Sequence, residues 1–112
     1  MASLEFSCYF KKRIGNLFYT DTKGDSSGTI ANLLIEVCDA EIGIGYDTNE
    51  QKQTTDLAIR GAATSRINLG KKVSKLAKRF GGTGGGHKKS SGARISTSNL
   101  MEFMRALSNK SR

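Results

Sequence analysis

The chain holds one histidine, His87, directly after Gly84-Gly85-Gly86 and directly before Lys88-Lys89-Ser90-Ser91-Gly92. Glycines at 81, 82, 84, 85 and 86 crowd the approach to it. Such a stretch suits an anion. Successive glycines reach positive φ, turn several backbone N–H groups toward one point and let an oxygen-rich ligand approach with no Cβ in the way. His87 would add ring N–H donors, and Lys88 and Lys89 positive potential. A flexible linker has the same composition, and on composition alone anion binding stands only slightly ahead of it. The stretch follows a basic helical segment. Its start therefore lies near a helix C-terminus, whose dipole attracts cations, and a phosphate cradle at a helix N-terminus is not expected at that end. There is no GxxxxGK[ST] run, and the order of elements does not suit a dinucleotide fingerprint.

Other chemistries lack their residues. Two cysteines, Cys8 and Cys38, and one histidine leave a zinc site short of ligands. Both cysteines sit in apolar segments and are expected as reduced, buried hydrophobes in a cytoplasmic or other reducing intracellular compartment. Ten scattered acids cannot build a two-metal hydrolytic centre, so neither catalytic nor metal-binding residues are assigned. No apolar run approaches a membrane span, and no membrane partner is expected.

Charge distribution says more than the net +8. Residues 1–56 carry five Lys/Arg against nine Asp/Glu, whereas residues 57–112 carry thirteen against one, Glu102. A nucleic acid or a phosphorylated small molecule is the leading partner class for the second half. The helix cations Lys71, Lys72, Lys75 and Lys78 read as a solvated face. The phenylalanines at 6, 10, 18, 80 and 103 read as core before they read as base-stacking platforms.

The elements that must position these residues follow from periodicity. Leu4, Phe6, Cys8 and Phe10 alternate as in a half-buried strand, Lys11–Gly15 is a turn, and Asn16–Thr20 a second strand. Ser26 or Ser27 precedes a helix with Ile30, Leu33, Leu34 and Val37 on one face. Ile42–Tyr46 alternates isoleucine and glycine across two faces, and Thr54–Arg60 is its hairpin neighbour. A basic helix runs from Asn68 to Phe80, Ala93–Ser96 is a short strand, and Asn99 with Glu102 suggests a capping box opening a last helix. The result is a single α/β domain of 112 residues, with a mixed sheet of about five strands and packed helices.

GGGHKKSSG resembles the GGGH signature of the C-terminal, substrate-binding (DHH-associated) domain of the DHH phosphoesterases. The likeness runs from about Asn16 to Leu107, with a strand ending at Ile59-Arg60-Gly61 and INLGKKVSKLAKRFGG leading into the glycines. Ser90 and Ser91 depart from the small apolar pair of that signature, and Gly81-Gly82-Thr83 lengthens the loop. The resemblance implies a phosphate-binding loop over residues 81–92 with Gly84, Gly85, Gly86 and His87, and Arg60 as a second phosphate ligand. Lys88, Lys89 and Arg94 would add electrostatic support. It also implies single-stranded nucleic acid or a nucleotide as ligand, and a separate DHH catalytic domain or subunit carrying Mn or Mg, with no cofactor on this chain. The alternative is a stand-alone nucleic-acid-binding or assembly protein, with homo-oligomerisation through an exposed edge strand as a subsidiary expectation.

Overall fold

Glycines decide how the first helix meets the sheet. The computed structural model describes residues 12–22 and 27–108. Strands β1 (Lys12–Ile14) and β2 (Leu17–Asp21) form a hairpin, helix α1 (Ser27–Cys38) crosses over, and β3 (Ile42–Asn49) pairs parallel to β2. Along β3 the isoleucines and glycines face opposite ways. A Cβ at Gly43 would lie 2.3 Å from the carbonyl oxygen of Ala31, and one at Gly45 would lie 2.4 Å from that of Ser27. Only bare backbone at these two positions lets α1 seat so closely, with Ala31 and Leu34 buried beneath it.

The opposite face carries the main core. Ile42 and Ile44 join Leu17, Leu57, Ile59 and Ile95 against two further helices, α2 (Leu69–Arg79) and α3 (Leu100–Ser108). From α2 come Leu69, Val73, Leu76 and Ala77; from α3, Phe103, Met104 and Leu107. Phe80 meets Phe103 edge-on with ring centroids 6.3 Å apart, a preferred aromatic geometry. Helices on both faces of a mixed sheet make this an α/β domain.

The remaining strands are β4 (Thr54–Gly61), β5 (Thr83–Gly86) and β6 (Ser90–Ser96), and the sheet order is β1-β2-β3-β4-β6-β5. Six strands stand where about five were expected. Both short edge strands carry little pattern: β1 has three residues, and β5 is Thr-Gly-Gly-Gly. The expected strand around Leu4–Phe10 lies outside the described residues. Asn68 caps α2 as its sequence suggests, its side chain accepting from the Lys71 N–H. Asn99 does not open a capping box. A short 3-10 turn (Thr97–Asn99) precedes α3, and the Asn99 side chain donates instead to the Phe80 carbonyl, tying α3 to the end of α2. Cys38 is disulfide-bonded, which corrects the expectation of a reduced thiol there. Among the described residues, no helix is long and apolar enough to cross a membrane.

Candidate functional site

The glycine stretch is an edge hairpin rather than a loose loop. β5 pairs antiparallel with β6, Gly85 opposite Gly92 and Gly86 opposite Ser91. The turn closes where the His87 N–H donates to the Ser90 carbonyl at 2.8 Å. Positive φ appears at Gly81 (76°), Gly85 (150°) and Gly86 (143°). Gly81 turns the chain off α2, helped by the Gly82 N–H donating to the Ala77 carbonyl at 2.7 Å.

That reversal sends β5 back along α2. A Cβ at Gly70 would lie 2.4 Å from the Gly86 carbonyl oxygen, so the helix and the strand touch backbone to backbone. The Leu69 N–H donates to the Lys88 carbonyl at 2.9 Å. The stretch thus starts at the C-terminus of α2, as its sequence says, while its histidine turn ends at the N-terminus of the same helix. The positive end of the dipole is next to His87 after all.

Arg60, one residue before the end of β4, stands opposite Ser90. Its guanidinium donates to the carbonyls of Ile59 (3.1 Å) and Ser91 (3.3 Å). It also reaches the first turn of α1, where a Cβ at Gly28 would lie 2.7 Å from Nη2. Directly opposed residues on antiparallel strands share a face. The register therefore sets Arg60 and Ser90 side by side on one face, and the backbone pair of the turn brings His87 opposite Ser90. The Ser91 hydroxyl steadies the turn by donating to the His87 carbonyl at 3.0 Å. His87 and Lys88 are exposed.

The other sequence-assigned cations go elsewhere. The Lys89 ammonium donates to the Ser65 carbonyl, and its own carbonyl accepts from the Gly61 N–H, so Lys89 fastens the turn to the connection after β4. Arg94 lies four residues along β6 from Ser90. It forms a two-pronged pair with Asp56, Nε to Oδ1 at 2.6 Å and Nη2 to Oδ2 at 3.1 Å. That hydrogen bond holds the Asp56 carboxyl below its ordinary range. Among the helix cations, Lys72 departs from the solvated reading: its ammonium donates to the Leu107 carbonyl at 2.8 Å, and burial pushes its pKa down. The pairing of Asp56 with Arg94 rather than Arg60, and the α1 turn at Gly28, were not legible from sequence. Their partners lie 38 and 32 residues away in the chain, and only the sheet register brings them together.

Among the described residues, no three His, Cys, Asp or Glu side chains gather as a metal site. Arg60 meets the first turn of α1 on one face of the sheet, and the N-terminus of α2 reaches the His87 turn from the other.

The DHHA1 domain family matches residues 11–111. An uncharacterised protein of Methanocaldococcus jannaschii is 34% identical over 99 residues, covering 84% of this chain and 21% of that protein. The chain thus spans about a fifth of that relative's length. Among solved structures, a pGpG-specific phosphodiesterase of Vibrio cholerae superposes with a TM-score of 0.64 at 23% identity, over 93% of this chain and 35% of that one. The C-Ala domain of alanyl-tRNA synthetase from Aquifex aeolicus gives 0.63 at 12% identity, over 88% of this chain and 98% of that one. Both likenesses show the fold.

Proposed function

Because the chain belongs to the DHHA1 domain family, whose members are accessory parts of DHH proteins, we propose that it is a substrate-binding domain for a nucleotide or a short single-stranded nucleic acid. The ligand's phosphate sits at the row of Arg60, Ser90 and His87. One observation carries the reading: the Arg60 guanidinium lies against the first turn of α1 while donating to the Ile59 and Ser91 carbonyls. A cation beside the positive end of a helix is electrostatically unfavourable, and an anion between them relieves it. The α2 N-terminus, on the other face, is taken up by the Lys88 carbonyl and the Asn68 cap, and Lys88 adds charge at the turn. Gly84, Gly85 and Gly86 keep this edge free of side chains. Bond cleavage belongs to a DHH catalytic domain carrying Mn or Mg, in the same or a separate polypeptide. The described residues offer no ligand cluster for such an ion, and no metal-dependent step is assigned to them.

The test is titration of the wild type, Arg60→Ala and His87→Ala with labelled oligonucleotides of graded length at two salt concentrations. Each substitution is expected to weaken binding about tenfold or more, the scale of a hydrogen bond to a charged group. The wild type should saturate on the shortest ligands. The alternative, a stand-alone nucleic-acid-binding or assembly protein, draws on the edge position of β5. Its signature is binding that grows with ligand length, falls steeply with salt and ignores both substitutions.

A further inference from the structure

We propose that the free edge of β5, overhung by a row of lysines from α2, takes an acidic, extended segment of a partner protein as an added strand of the sheet.

β5 is the last strand in the sheet order, and Thr83, Gly84 and Gly86 are exposed. In an antiparallel ladder, opposed residues alternate between pairs that bond to each other and pairs that do not. His87 and Ser90 bond to each other, so Gly85 with Gly92 is the next bonded pair. The N–H and C=O of Gly84, between them, point away from β6. An outward donor beside an outward acceptor, with no side chain in the way, is a template for strand addition.

The contacts of α2 fix what stands over that edge. Gly70, Ser74 and Ala77 ride on β5, against Gly86, Gly85 and Gly84 in turn. Leu69, Val73 and Leu76 turn inward to the core, and Lys72 reaches α3 at the Leu107 carbonyl. Lys71, Lys75 and Lys78 each follow a β5-facing residue by one position, about 100° round the helix on the side away from the core. All three are exposed, and they overhang the open side of β5. Along the axis Lys71 and Lys75 stand about 6 Å apart. Residues on one face of an extended chain repeat every ~6.6 Å, so acids at alternate positions of an added strand come under successive lysines.

Charge and backbone together choose the occupant. A second copy paired edge to edge in one continuous sheet would set two lysine rows side by side, and like charges repel. A nucleic-acid strand would answer the lysines, but its phosphodiester groups bring no donor for the Gly84 carbonyl. A peptide with alternating acids brings carboxylates to the lysines and both an N–H and a C=O to Gly84. This edge is separate from the phosphate row, since Arg60 lies on the opposite face of the sheet, against α1.

Binding of labelled short peptides, followed by fluorescence anisotropy and by amide hydrogen exchange, tests this. The probes are a peptide with glutamate at alternate positions, its lysine counterpart, the glutamate peptide N-methylated along one backbone edge, and an oligonucleotide of matched charge. Wild type is compared with the double variant Lys71→Glu with Lys75→Glu, both checked for folding by chemical denaturation. The wild type is expected to bind the glutamate peptide about tenfold or more tighter than the lysine peptide, and binding should slow exchange of the Gly84 amide. N-methylation takes away the donors that pair with the edge, so affinity and Gly84 protection should both be lost. The double variant should lose about tenfold or more in affinity for the glutamate peptide and gain affinity for the lysine one. Four results overturn the proposal: no binding of the glutamate peptide, equal binding of its N-methylated form, undiminished affinity in the double variant, or Gly84 protection by the oligonucleotide and not by the peptide. Gly84 protection that grows with protein concentration in the absence of peptide assigns the edge to a second copy and overturns it as well.

Discussion

On one face of the sheet, Leu17, Ile42, Ile44, Leu57, Ile59 and Ile95 disappear under α2 and α3. On the other, α1 lies over Gly43 and Gly45, and beyond it lie Gly92, Thr83 and the exposed ion pair between Asp56 of β4 and Arg94 of β6. The same alternation of side chains along each strand serves both. Where bulky residues point, the free energy of burial holds the domain together; where glycines point, the sheet is left as a surface. The second face itself divides. At Gly43 and Gly45 the place of the missing Cβ is filled by the backbone of α1, whereas at Gly92 a Cβ would meet only the neighbouring strand's Leu57 carbonyl oxygen, at 3.3 Å.

The largest effect should come from the packed face. Phe103 is fully buried, and truncating it to alanine is expected to lower the free energy of unfolding by about 3–5 kcal/mol in a urea titration. Binding by the fraction still folded should stay unchanged. If Phe103→Ala instead weakened ligand binding in molecules shown to be folded, the two faces would not be separable.

A sharper contrast sits within the glycines. Gly43→Ala drives a methyl group into the Ala31 carbonyl, and neither backbone can yield without moving α1. A loss of about 1–3 kcal/mol is expected, the range for overpacked sites. Gly92→Ala needs the Leu57 carbonyl to give by only a little, and it restricts the unfolded chain in compensation. Its effect on stability should stay within about 0.5 kcal/mol, as for ordinary surface changes. Parallel denaturation curves decide the matter: equal losses at both positions would mean that Gly92 is covered as Gly43 is.

The division explains what the sequence disclosed. Ile42-Gly43-Ile44-Gly45 announces a strand with two unlike faces, and Asn68 before Leu69 announces a helix start, because both signals are local. The hairpin over residues 83–92 stayed hidden because glycine has no hydropathy and so no period. Its pairing comes from the Gly81 reversal and from α2 alongside. His87 and Arg60 could be named from their motif, yet the Arg60–Ser90–His87 row is a property of register. So is the Asp56–Arg94 pair, joining residues 38 apart. Lys89, which looks like one more cation of the motif, is spent on the Ser65 carbonyl. Chain order cannot show whether a lysine faces a ligand or its own backbone.

The smallest effect probes the open face through pH. The Arg94 hydrogen bond holds the Asp56 carboxyl below its ordinary value of 3.8, against a weaker opposing push from burial. A carboxyl depressed in the folded state adds stability above its unfolded pKa and loses it as pH falls through the folded one. The unfolding free energies of wild type and Asp56→Asn should therefore differ most at pH values above about 4 and converge toward the acid limb. Both partners are largely exposed, so the separation should be small and should shrink further in high salt. A large separation that survives salt would mean that the pair holds the hairpin to β4 and serves the fold. A small one leaves stability with the packed face.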